Sequence, residues 1–274
     1  MSTSIPDPHR HARRIFYVAV ALIYVFMLAP ILLTLAVSFN STARAVFPPD
    51  GLSLKWWAAA LSPRWLDALA FSLRLAVTAA ILSTLLAVPL AFALVRHRFV
   101  GRDALLALTL GPLLLPTLTT GIGILQVINL AGMGRYIGFG ALLAAHVVIC
   151  LPFSVRTIAV SLKTMPPSLE QAAASLGAGP WRVRWTILAP LLRNGLTGGL
   201  VFCFIHSFTD VNTSLFLGAP GQEPITVRIL STMQYGFEPT IAAVAIITII
   251  IPLIAVALIE RMGGFGNVIG GHSR

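Results

Sequence analysis

Six apolar stretches punctuate the chain, at about residues 15–38, 68–95, 104–131, 137–162, 191–217 and 240–260. Each exceeds the roughly 20 residues a helix needs to cross a hydrocarbon core. A membrane β-barrel would instead show short alternating segments. The pattern therefore predicts an all-α polytopic membrane protein with six transmembrane helices. The third stretch carries Pro112, Pro116, Gly121 and Gly123, which predicts a kink where neighbouring helices or water satisfy the freed backbone groups. The first stretch follows Arg10, Arg13 and Arg14 and is too long for a signal-peptide core, so it reads as a retained first helix. The boundaries that follow are a tail at 1–14, a six-helix domain at 15–260 containing a polar loop at 163–190, and a second tail at 261–274.

Composition agrees with this pattern. The 274 residues are 57% hydrophobic and 10% charged, more apolar surface than a soluble domain can hide. The net charge of +10 does not point to nucleic acid, because the basic residues flank the apolar runs instead of lining one face. Their distribution sets an orientation. With the N-terminus inside, Arg10, Arg13, Arg14, Arg96, Arg98 and Arg102 all fall on the inner side, and the positive-inside rule then places both termini in the cytoplasm. Cys150 and Cys203 lie within apolar runs and read as small buried hydrophobes, with no disulfide or metal spacing. The tryptophans of the outer segment 39–67, Trp56, Trp57 and Trp65, fit the bilayer edge; a docking surface on the outer side is compatible with that.

The loop at 163–190 is a polar, glycine-broken island between apolar runs. Ser168-Leu-Glu-Gln171 matches a capping box, with Glu170 in the first turn, where the helix dipole favours a negative charge. Ala172, Ala173 and Ala174 favour helix and leave a smooth surface. Gly177 suits a left-handed C-terminal cap. Gly179-Pro180 suits the start of a second short helix, on which Trp181, Trp185 and Leu188 share a face. By these features alone the island is either an amphipathic connector or a docking element.

Its spacing resembles the cytoplasmic EAA loop of the binding-protein-dependent ABC importer permeases, Glu-Ala-Ala, three residues, Gly, nine residues, Ile-x-Leu-Pro. Here Gln171-Ala172-Ala173 precede Gly177 by that interval, and nine residues later come Ile187-Leu188-Ala189-Pro190. Gln171 stands where the motif has Glu, with Glu170 just before it, and Ala189 stands where it has Leu. The resemblance implies a type I ABC importer permease fold. It makes the helix around 169–177 a coupling helix, with Glu170, Gln171, Ala172, Ala173, Gly177 and Pro190 contacting a dimer of cytoplasmic ABC ATPase subunits. It also implies a second permease subunit, a heterologous sister, and a periplasmic substrate-binding protein, with membrane lipid around the whole and no nucleic acid. No G-x-x-x-x-G-K-[ST] phosphate loop occurs in the sequence, so the chain is expected to be a transport subunit and not an enzyme. No cofactor is expected on it; ATP is used by the partner. Gly51-Leu-Ser-Leu-Lys-Trp56-Trp57 and Ser207-Phe208-Thr-Asp210-Val211 look most like the spermidine/putrescine permeases. Aminoalkylphosphonate, opine, iron(III) and thiamine are the alternative cargoes within the family.

Asp210 is the one acidic residue well inside a predicted span, with His206 one turn before it and Asn212 just after. A carboxylate in hydrocarbon must face protein or water. Asp210, His206 and Asn212 are therefore candidates for a hydrated translocation path; a structural contact between helices is the other reading. Arg74 is expected to snorkel to the outer interface, and His146 to hydrogen-bond between helices. A secondary transporter acting alone would want more intramembrane charge and an inverted repeat.

Overall fold

A computed structural model describes residues 10–166 and 168–261. The tails at 1–9 and 262–274, and Pro167, lie outside the described residues. Long helices dominate: α1 (Arg10–Ser38), α2 (Lys55–Ala60), α3 (Pro63–Arg96), α4 (Arg102–Leu114), α5 (Thr117–Leu130), α6 (Phe139–Thr164), α7 (Ser168–Ser175), α8 (Pro180–Val183), α9 (Ala189–Thr209), α10 (Ser214–Leu217), α11 (Ile225–Met233) and α12 (Pro239–Arg261). The β-pairing among the described residues is two isolated bridges, Asn40 with Leu52 and Ala219 with Gln222. Contacts group the described residues into two units, one running up to Ser62 with Thr232–Ile247, the other Pro63–Ser231 with the residues from Thr248 on.

In the second unit α3, α6 and α9 pack against one another through small and hydroxylated residues. Gly195 and Gly199 of α9 lie against Ser161, Thr157 and Ser154 of α6, so closely that a Cβ on Gly199 would stand 2.9 Å from Ser154 Oγ. The Thr84 and Ser154 hydroxyls bond at 3.0 Å between α3 and α6. In lipid, where burial against a neighbour removes no water, close backbone approach and such hydroxyl contacts hold helices together. Cys150 and Cys203 are buried, unpaired thiols in this seam; the Cys203 thiol donates to the Cys150 carbonyl at 3.1 Å.

Two apolar runs depart from the predicted spans. The third is not one kinked helix: α4 and α5 meet at 111°. The break falls at Leu115, extended at φ −92° and ψ 140°, as expected of a residue whose helical conformation is disfavoured by the following Pro116. Pro112 sits inside α4 without breaking it. The fifth run was expected over 191–217; the helical stretch instead runs Pro180–Thr209, then stops at Asp210, whose backbone is extended at ψ 132°.

In the first unit, the segment after α1 is organised around Asn40, fully buried. Its side-chain NH2 donates to the Arg44 carbonyl at 2.7 Å, and its Oδ1 accepts from the Thr42 and Asp50 amides, both at 3.2 Å. The Trp56 indole donates to the Asn40 carbonyl at 2.7 Å, so Trp56 is a structural post of this loop. Trp65, in the second unit, is buried within the chain.

Candidate functional site

The loop after α6 folds as its local chemistry dictates. α7 ends in a Schellman cap: the Gly177 amide donates to Ala174 O at 2.9 Å and the Ala178 amide to Ala173 O at 3.0 Å. Gly177 takes φ +83°, which costs a glycine nothing and a residue with a Cβ about 1–2 kcal/mol. Ala173 turns inward and joins the apolar cluster that includes Leu94, Ile158, Leu162 and Leu188, while Gln171, Ala172 and Ala174 are exposed. The helix therefore shows one smooth alanine face outward and anchors itself by the other. Glu170, in the first turn, lies 3.2 Å from an Arg96 Nη at the end of α3. The same Arg96 nitrogen donates to the Met165 carbonyl at 3.1 Å. One guanidinium thus ties the end of α3 to the end of α6 and the start of α7. In the sequence Arg96 counts only as an inner-side charge, although its place in the last turn of a helix is a usable signal for this role. The expected capping box does not close: among the described residues no hydrogen bond joins the Ser168 hydroxyl to Gln171, and Ser168 is itself the first helical residue.

Gly179 and Pro180 open α8 as expected, with the Val183 amide donating to Gly179 O at 3.1 Å. The second helix does not stop. A π-helical turn over Arg184–Leu188 carries it into α9, the Ala189 amide reaching Arg184 O. Pro190 follows at once; lacking an amide, it cannot bond four residues back, and the wide turn before it takes up the mismatch. The π turn also re-phases the faces. Val183 and Leu188 are both buried, whereas Trp181 and Trp185 stay exposed and meet edge to face, centroids 5.7 Å apart. Leu188 therefore does not share the tryptophan face. Pro190 is exposed at the start of α9.

The second cluster surrounds the break after α9. Asp210 is 8% exposed. One of its carboxylate oxygens accepts from the Ser214 amide at 2.9 Å and the Ser214 hydroxyl at 3.0 Å, so it satisfies the free donors at the start of α10. That oxygen lies 3.7 Å from Nε2 of His146. His146, fully buried, bonds Ser207 through Nδ1 at 2.6 Å and Ser214 through Nε2 at 3.0 Å, the interhelical role foreseen for it. His206 faces the Phe153 ring at 4.9 Å. Asn212 is exposed, and its amide donates to the Thr117 hydroxyl at 3.0 Å, reaching from the α9–α10 break to the first residue of α5. Thr117 and Ser214 were not foreseen; the run Asp210-Val-Asn-Thr-Ser, rich in residues that bond their own backbone, was the signal available. Arg74 sits over the Phe139 ring at 4.4 Å, a cation–π contact.

Comparison with known proteins gives the family. The family of binding-protein-dependent transport system inner membrane components matches residues 83–262. The chain is 31% identical over 249 residues to the spermidine/putrescine transport system permease protein PotC of Escherichia coli, covering 89% of this chain and 93% of that protein. The putrescine transport system permease protein PotI of Escherichia coli is 29% identical, over 81% of each chain. The molybdenum transport system permease protein ModB of Haemophilus influenzae is 33% identical, over 74% of this chain and 98% of that one. The fold is shared with a chain of a bacterial ABC transporter involved in alginate import, at TM-score 0.73 and 17% identity over 96% of this chain and 99% of that one. With 5 helices among the described residues long and apolar enough to cross a membrane, or 6 if the bent pair counts as one span, the chain belongs to the binding-protein-dependent transport system inner membrane components: it is a multi-pass permease subunit of an ABC importer in the bacterial inner membrane.

Proposed function

We propose that this permease carries polyamines, spermidine or putrescine, delivered by a periplasmic binding protein. The observation behind this is the likeness to PotC, which extends over 89% of the chain. Both termini lie in the cytoplasm in this reading, and α7 is the coupling helix. Its exposed Gln171, Ala172 and Ala174 seat against an ATPase subunit, Ala173, Gly177 and Glu170 hold its shape, and Pro190 fixes where the loop rejoins the membrane. A pair of such ATPase subunits supplies the energy; the chain itself hydrolyses nothing and binds no cofactor. A sister permease of different sequence completes the path, to which Asp210, His206 and Asn212 belong. Because the Asp210 carboxylate is engaged by Ser214, its part is to hold the break open, with Asn212 facing the solute.

The likeness to ModB favours one second reading, a molybdenum oxyanion as cargo. Uptake by proteoliposomes holding the complete transporter and its binding protein decides between them. Labelled spermidine should accumulate on addition of ATP inside the vesicle. Accumulation of molybdate with no spermidine uptake would exchange the two readings. Failure of the tagged chain to bring down an ATPase subunit would remove the coupling role.

A further inference from the structure

The third apolar run does not cross the bilayer as a straight helix, and its geometry leaves polar groups that lipid cannot cover. α4 has 13 residues and so spans about 20 Å, short of the roughly 30 Å hydrocarbon core. The non-helical link at Leu115 and Pro116 therefore falls at membrane depth. Backbone of that kind is tolerated there only inside protein or beside water, and Leu115 and Pro116 are both exposed.

A second break stands against this one. Asn212 bonds Thr117, and the Thr213 hydroxyl donates to the Thr117 carbonyl at 3.4 Å. Gly121 lies so near the Thr213 backbone that a Cβ would stand 3.0 Å from its carbonyl oxygen, so the two breaks are held in contact. Beyond them α5 is two-faced. Ile124, Leu125 and Ile128 pack on the core of Phe71, Leu75 and Leu142. Thr119, Gly123 and Gln126, at helical spacing, are exposed, as are the apolar Ile122, Val127 and Leu130 beside them, so the outward face mixes polar and apolar groups. A hydroxyl and a carboxamide on the outside of a membrane helix are costly against hydrocarbon.

We infer that the Thr119–Gly123–Gln126 face of α5, with Asn212, lines the aqueous path and forms a site for a hydrogen-bonding solute. The inference rests on the chain being a path-forming permease, as proposed above. The site is neutral: it offers amide and hydroxyl groups, while the nearby carboxylate of Asp210 is turned into the protein. A polar solute is thus held by hydrogen bonds that can be exchanged for water, and no exposed charge traps it.

The test uses single cysteines, Thr119→Cys and Gln126→Cys, in the complete transporter, where native Cys150 and Cys203 are buried. The probe is a permanently charged, membrane-impermeant methanethiosulfonate applied to membrane vesicles. Both positions should react with it, with loss of most uptake, and the reaction rate should differ between ATP-free and vanadate-trapped transporter. Reaction only with a lipid-soluble maleimide would place the face in lipid and overturn the inference. Reaction with neither would place it against another subunit and overturn it equally. The labelling does not depend on the cargo. Labelling without spermidine uptake therefore removes only the polyamine reading, and spermidine uptake with unreactive positions removes only this site.

Discussion

Arg96 holds two chain ends with one side chain, and most of the coupling loop's placement follows from that. Its guanidinium is largely buried, at 16% side-chain exposure, and Glu170 is half-buried at 35%. The pair is ionic without good hydrogen-bond alignment, since Glu170 Oε1 and Arg96 Nε both lack a hydrogen-bond partner. The pair is therefore held by charge at 3.2 Å, and the bond to Met165 O adds to it. Arg96→Ala should cost about 1–2 kcal/mol in all, seen as a lower melting temperature of the purified complex. Uptake per ATP hydrolysed should fall as well, because α7 loses its tether. Glu170→Gln removes only the ionic part and should melt between wild type and Arg96→Ala. Asp210 works by a different balance. Asp210→Asn keeps an oxygen for the Ser214 amide and should assemble normally, whereas Asp210→Ala strips that amide and hydroxyl of their acceptor inside the protein. A buried donor left unmade costs about 1–3 kcal/mol. The amount of folded protein extracted from membranes should drop for Ala and hold for Asn; equal yields from both would mean the carboxylate has no structural part.

Between helices the decisive quantity is backbone separation. Gly198 and Gly199 are neighbours on α9 and look interchangeable in the sequence, yet a Cβ on Gly198 would meet nothing nearer than Thr157 Cγ2 at 3.7 Å, and one on Gly199 would meet Ser154 Cα at 3.2 Å. Gly198→Ala should leave the complex as stable or raise it by up to about 1 kcal/mol through helix propensity. Gly199→Ala should lower it by about 1–3 kcal/mol through overpacking, read by thermal melting in detergent. This difference also marks what sequence can and cannot reveal at the scale of elements. Gly177 and Gly179-Pro180 were legible because their roles are set by φ and by the missing proline amide, both local. The extent of the fifth helix was not. Residues 180–190 read as a short helix separate from the span that begins at 191, and the packing of Val183 and Leu188 onto the core makes the π turn that joins the two worth its poorer hydrogen bonds. The sharp turn between α4 and α5 was half legible. Pro116 announces a disturbance, but composition on its two sides is alike, so the size of the bend comes from Thr213 and Asn212, some ninety residues away in sequence.

At the scale of the molecule, the orientation of charge and the number of apolar runs fixed the class of protein before any contact was known, since the bilayer imposes both. None of the apolar window of α1 is buried within the chain, and Phe26 is 81% exposed. A soluble protein could not keep such a surface, so lipid or another subunit must cover it. Either cover is apolar, and the consequence is the same. Phe26→Arg, near the middle of a 29-residue helix, should cost about 2.5–3.5 kcal/mol on a membrane-insertion scale, while Phe26→Leu should cost little. Carbonate-resistant membrane integration should therefore fall for Arg and not for Leu. An Arg variant that integrates and transports as wild type would mean that this face meets water, and the first span would then have to be reassigned from lipid or protein contact to the wall of an aqueous path.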